Sequence, residues 1–270
     1  MIDNATVSNL SIFYMIIAFI IQFIFPMVIT IYIYKKGKIA LKSTLIGIIS
    51  FTISHMVITI LLDQGLQSTS WYKNLTKSNL FLASLIIVSL VGILEEVARV
   101  KGFTLFLKNQ WEWEDGVALG LGFGGMESIF SGLDTAKKII SSLAVNYKVL
   151  AKIKVAVSMR KLLITTAPGL ILAAGIESLF ILCIQIGLTL LALYGIRTDK
   201  HKYSMYAVVL HVLIHLPLPY LKKIIGVWGT EALLALIAAI AVVLSYKAKE
   251  WYELSTPSFA NAYREHYRNR

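Results

Sequence analysis

The stretch 80-LFLASLIIVSLVGILEEVARVKG-102 decides the fold. Residues 80–100 have the length of a helix that crosses a bilayer, about 20 residues, yet their last turns carry Glu95, Glu96 and Arg99. Comparable apolar runs fall at residues 11–34, 39–62, 116–131, 162–193, 203–221 and 224–246. The composition agrees: 57% of the 270 residues are hydrophobic, 15% are charged, and the mean hydropathy is +0.72. The fold class expected is all-α, a polytopic membrane helix bundle of roughly seven to eight spans. The eighth arises if Pro168 and Gly169 break the run at 162–193 into two pieces.

The formal net charge is +11, but the lysines and arginines lie in short loops and at the ends of the apolar runs. They form no basic stripe with interleaved aromatics, so nucleic acid is excluded as a partner, and the charge reads as topological. Lys35, Lys36 and Lys38 belong inside, which puts the N-terminus outside, residues 63–78 outside, and residues 197–202 and 247–270 inside. The membrane expected is the plasma membrane. The lysine-rich segment 137–161 falls outside on a seven-span count: it either lies on the membrane surface as an amphipathic segment, or a span is miscounted near Gly120 or Pro168. Cys183 is the only cysteine, so there is no internal disulfide and no thiolate metal cage. The first apolar run is too long for a signal-peptide core and reads as a retained span. One membrane domain over 1–270 is expected, with a catalytic core at 80–219.

Ionisable side chains within a span cost several kcal/mol unless they pair or face a polar cavity, about 2.5–3.5 kcal/mol on insertion scales. Four places stand out. Glu95 and Arg99 are four apart and share a helix face, whereas Glu96 points about 100° away, so Arg99 can neutralise one carboxylate while the other exchanges a proton. In 120-GLGFGGMESIF-130, glycines that let helices approach closely precede Glu127. In 211-HVLIH-215, His211 and His215 share a face and can point at one metal, oxyanion or water; Val212 stands where a zincin carries its glutamate. Glu177, in 174-AGIESLFILCIQIG-187, is the most deeply embedded of these, with Gln185 on nearly the same face. Each feature alone has a plain alternative: a headgroup-level acid pair, a packing motif, satisfied histidines. Together they leave too many carboxylates without cations, and a shared polar site explains them better. His55, Asp63 and His266 read as loop or interfacial groups.

In that order, EEVAR at Glu95–Arg99, GLGFGGMES ending on Glu127, GIESLF with Glu177, and HVLIH resemble the YhfC group of glutamate-dependent intramembrane proteases. That superfamily includes the CAAX prenyl endopeptidases and the anti-sigma-factor protease PrsW. The resemblance runs from about Leu80 to Pro219. It implies some eight membrane helices and hydrolysis of a peptide bond of a membrane-tethered or amphipathic substrate. Glu95 or Glu96 would act as general base on a water, Arg99 would hold the other carboxylate, and Glu127 would help position the water. His211, helped by His215, would stabilise the oxyanion. A divalent metal such as zinc is the cofactor to consider, with Glu127, Glu177, His211 and His215 as candidate ligands. Against the YhfC pattern, Phe123 stands where a His is expected, Ser178 where an Arg is, Gln185 where a His is, and His215 where an Asp is. These changes remove two ligands or proton carriers and add one. The rival expectation is therefore a non-catalytic relative: a membrane scaffold or complex subunit, or a proton- or cation-handling transporter component. Convergence of Glu95, Glu96, Glu127 and His211 in one cavity separates a protease from a relay strung across the bilayer.

Overall fold

Proline and glycine set where the apolar runs start and stop as helices. The computed structural model describes residues 5–59, 61, 65–108, 110–147 and 155–255. Helix α1 (Asn9–Lys35) is capped by the Ser8 hydroxyl, which accepts from the Ser11 amide, and it ends at Gly37, whose φ of +67° only glycine adopts freely. Then come α2 (Leu41–Thr59), a short α3 (Ser70–Ser78), and α4 (Leu80–Lys101), which runs on into a π turn at Gly102–Phe106. Helix α5 (Trp113–Asn146), with Glu112 and Asp115 forming its capping box, is followed by a short α6 (Val157–Thr165). Pro168 opens α7 (Pro168–Arg197) at a position where its missing amide costs nothing. Helix α8 (Lys202–His215) breaks at Pro217 into α9 (Leu218–Ile224), and Gly226, at φ +76°, turns the chain into α10 (Gly226–Leu254).

Among the described residues there is no strand, and seven helices are long and apolar enough to cross a membrane: Asn9–Lys35, Leu41–Ile58, Leu80–Phe106, Trp113–Asn146, Pro168–Arg197, Lys202–Ile224 and Gly226–Leu254. The count is the lower of the two expected, because the break at Pro168 yields only the nine-residue α6 on its N-terminal side. Helix α5 is 34 residues long, about 51 Å at 1.5 Å per residue, longer than a hydrocarbon core of about 30 Å, and it carries Lys137 and Lys138 towards its C-terminal end. Residues 148–154, Asp63, and the tail from 256 with His266 lie outside the described residues.

Close helix approaches position the site. A Cβ at Gly122 would run into the Thr44 carbonyl, and one at Gly47 into the Leu119 carbonyl, so α2 and α5 touch backbone to backbone. On the other side of α5, a Cβ at Gly124 would sit 2.8 Å from Gln185 Cβ and one at Gly120 2.8 Å from Ile186 Cα, which brings α7 equally close. Gly92 does the same for α4 and α8, where an added Cβ would lie 3.0 Å from His211 Cδ2. At one end of the bundle the buried Arg197 donates to the Trp111 carbonyl at 2.7 Å and to Glu112 at 2.9 Å. At the other end Asn146 exchanges two 2.8 Å bonds with the Val7 backbone.

Candidate active site

Where α4, α5, α7 and α8 meet, the spacing EExxR folds into a fork. Arg99, 1% exposed, donates from Nη2 to Glu95 Oε2 at 3.2 Å and from Nη1 to Glu96 Oε2 at 3.3 Å, so it engages both carboxylates rather than one. Both i,i+3 and i,i+4 pairs are within reach on one helix. The guanidinium lies over the Phe123 ring, 4.2 Å from its centroid, and Phe123 is in turn packed edge-on by Phe51 at 5.2 Å. Phe123 therefore supplies a cation–π floor.

Gln185, fully buried on α7, links the halves of the site. Its Oε1 accepts from Arg99 Nη2, while its Nε2 donates to Glu127 Oε2 at 2.6 Å and reaches Glu95 Oε2 at 3.4 Å. His211 Nδ1 stands 3.7 Å from Glu95 Oε2, and its ring stacks on His215 at 4.4 Å between centroids. Glu95, Glu96, Arg99, Glu127, His211 and His215 thus converge as the sequence suggested. Four buried side-chain atoms there lack a hydrogen-bond partner among the described residues: Glu96 Oε1, Arg99 Nε, His211 Nδ1 and His215 Nε2.

A polar cavity of about 370 Å³ leads to this network. Its lining includes Glu127, Ile181, His215, Gln22, Ser128 and Ser178, and Asp134 and Lys138 towards the C-terminal end of α5. Glu95, Glu96 and His211 are not on its wall; they lie behind it.

Glu177 accepts from Lys222 Nζ on α9 at 2.7 Å and lines the same cavity as Glu127 and His215, without a hydrogen bond to the Arg99 network. Three contributors escaped the sequence reading. Gln22, at the centre of a π turn in α1, donates to the Ala174 carbonyl at 3.1 Å and accepts from Thr135 at 2.6 Å. Glu231 on α10 is 4% exposed and lies beside the Glu177 carboxylate and Lys222. Lys222 is the third. The signal was present for two of them, as a lone Gln or Glu amid apolar residues in 19-FIIQFIF-25 and 226-GVWGTEALLALIAA-239. His55, expected at an interface, instead lies within α2, its ring stacked on Phe51 at 5.5 Å and against Phe130 at 4.7 Å.

The donor chemistry for a metal is present, but the arrangement is not. No three His, Cys, Asp or Glu side chains among the described residues converge tightly enough to hold an ion. Glu95 and Glu96 are taken by Arg99, Glu127 by Gln185, and Glu177 by Lys222. A zinc ion needs three or four such donors within about 2.0–2.3 Å; as folded, these residues do not fit one.

Comparison with known proteins gives the site its context. Residues 21–244 match the family described as YhfC intramembrane metalloprotease. A curated relative, the uncharacterized membrane protein YhfC of Bacillus subtilis (strain 168), is 28% identical over 262 residues, covering 92% of this chain and 100% of the relative. No solved structure matches. With the family match spanning all seven candidate membrane helices in whole or part, the chain is a membrane protein that belongs to the YhfC intramembrane metalloprotease family.

Proposed function

We propose that this chain is an intramembrane endopeptidase that hydrolyses a peptide bond of a membrane-tethered or amphipathic substrate, in the manner of the wider glutamate-dependent superfamily. The observation that carries the reading is the polar cavity of about 370 Å³ that ends on Glu127 and His215, with the Arg99 network directly behind it. The family description supports the protease class.

The cavity shifts the roles within the site. Glu95 and Glu96 are held by Arg99 and serve as positioning groups. Glu127 is the carboxylate that both faces the cavity and is fixed in orientation, by Gln185. It takes a proton from a cavity water as the water oxygen attacks the scissile carbonyl carbon, and it returns that proton to the departing amine. His215, on the cavity wall with an orphaned Nε2, donates to the oxyanion. His211, stacked behind it near Glu95, keeps that ring in place. No step runs through a metal, because no three candidate donors among the described residues are grouped to hold one.

A proton or cation relay would string these groups across the bilayer. Their gathering at one place, with Glu127 and His215 on the wall of a polar cavity, supports hydrolysis instead. We place the chain in the plasma membrane as a single membrane domain, N-terminus outside and C-terminus cytoplasmic. Lys35, Lys36, Lys38, Arg197, Lys200 and Lys202 gather at one end, which basic-residue bias assigns to the cytoplasm. The cavity then opens outward.

The test is cleavage of a membrane-tethered peptide pool by the purified protein in nanodiscs. Glu127→Gln and His215→Ala should each lower the rate by about 10²–10⁴-fold while circular dichroism stays unchanged. Unaltered cleavage in both variants sinks the assignment. A wild-type protein that cleaves nothing but loses a co-purifying membrane partner in these variants points to the scaffold reading.

A further inference from the structure

A second cavity, of about 560 Å³, is apolar and lies between α7, α8 and α10. Its floor is Leu188 and Leu191 of α7, its walls Leu210 and Ile214 of α8 and Ile237 and Leu244 of α10. All three helices are candidate membrane spans, so the open side of the groove faces hydrocarbon, where an unfilled apolar slot loses its packing contacts. Small residues hollow it: a Cβ at Gly187 would still be 3.4 Å from Ala241 Cβ.

Its dimensions and its ends name the occupant. From Ile184 to Tyr194 the groove follows α7 for ten residues, about 15 Å, which is half of a hydrocarbon core of about 30 Å and thus the depth of one leaflet. At the outer end it is ringed by Tyr194, Tyr203 and Trp251, the aromatic signature of a headgroup boundary. Cations sit at the same place. Lys202 Nζ is 5.4 Å from the Tyr203 ring centroid, Lys200 is exposed in the preceding turn, and the exposed Lys247 lies three residues from Leu244 and four from Trp251 on the same flank of α10. An apolar slot one leaflet deep with basic residues at its mouth is the form in which membrane proteins hold anionic lipid.

We propose that this groove binds one acyl chain of an anionic glycerophospholipid, with the phosphate headgroup held by Lys200, Lys202 and Lys247. The chain tip would rest against Ile184 and Ile214, the sequence neighbours of Gln185 and His215, so the lipid packs against the helix faces that carry the site from behind. This inference does not depend on the protease reading.

Native mass spectrometry of the full chain, extracted from bilayers of equal phosphatidylglycerol and phosphatidylcholine, tests it. One phosphatidylglycerol should stay bound to the wild type. The surface variant Lys200→Gln/Lys202→Gln/Lys247→Gln, which leaves the helices intact, should weaken retention about a hundredfold at roughly fivefold per lysine. Ala241→Phe, which fills the groove, should abolish it. Equal retention of the two lipids, or retention undiminished in both variants, overturns the proposal.

Discussion

Gln185 Nε2 donates to Glu127 Oε2 at 2.6 Å while the same amide's oxygen accepts from Arg99. One neutral side chain thereby couples a cavity-facing carboxylate on α5 to an ion network on α4. Gln185 from one side and the cation–π floor at Phe123 from another both hold Arg99.

The bridge makes Gln185→Leu informative. It strips Glu127 of its donor and Arg99 of one acceptor, a change that costs about 1–3 kcal/mol per buried group left unpaired. Thermal melting in detergent should fall accordingly, and cleavage should fall through kcat, with KM little changed. A variant with wild-type kcat would separate Gln185 from the proposed chemistry.

Breaking the fork should cost more than the bridge. Arg99→Met leaves two carboxylates 5% and 4% exposed without a cation, and uncompensated buried ion pairs lose about 3–5 kcal/mol. The triple change Arg99→Met/Glu95→Gln/Glu96→Gln should recover much of that stability, since it removes the charges together. Stability that fails to recover, read by urea or heat unfolding in micelles, would deny that the charges are the cause.

Metal and guanidinium compete for the same oxygens. Zinc content measured after dialysis should be sub-stoichiometric in the wild type and should rise in Arg99→Gln, where Glu95 and Glu96 become available beside His211. Stoichiometric zinc in the wild type, lost on His211→Ala, would mean that the network opens to admit it.

Glycine contacts give a paired test of packing. Gly122→Ala pushes a methyl into the Thr44 carbonyl and should lower stability by about 1–3 kcal/mol. Gly125→Ala, whose nearest neighbour would be Pro26 Cβ at 3.6 Å, should be neutral or mildly stabilising through helix propensity. Equal effects in the two would show that the α2–α5 approach is looser than described.

Glu231 is buried beside the Glu177 carboxylate, with Lys222 nearby. Glu231→Leu should raise the melting temperature, because it removes one of two carboxylates crowded together in a membrane-spanning bundle, and it should leave cleavage intact. Loss of cleavage would instead draw the Glu177–Lys222 group into the site.

Sequence alone was enough for the class of structure and the span count to within one, and it singled out Glu95, Glu96, Arg99 and His211, which are buried in the spans. Apolar length and basic loops are one-dimensional signals, and an ionisable residue within such a run is conspicuous without any coordinates. The i,i+4 reading of Glu95 and Arg99 held because helix geometry is local. Tertiary structure alone decided which polar groups share a cavity and which merely share a bundle. Glu177 went to Lys222, 45 residues away, and Gln185 to Arg99, 86 residues away, because close approaches at Gly92, Gly120, Gly122 and Gly124 fix which helix faces meet. Such pairings depend on inter-helix distance and rotation, which no local periodicity encodes. That is why Gln22 and Glu231 could be seen in the chain but not understood, and why the cavity settled on Glu127 and His215 rather than on the EExxR pair.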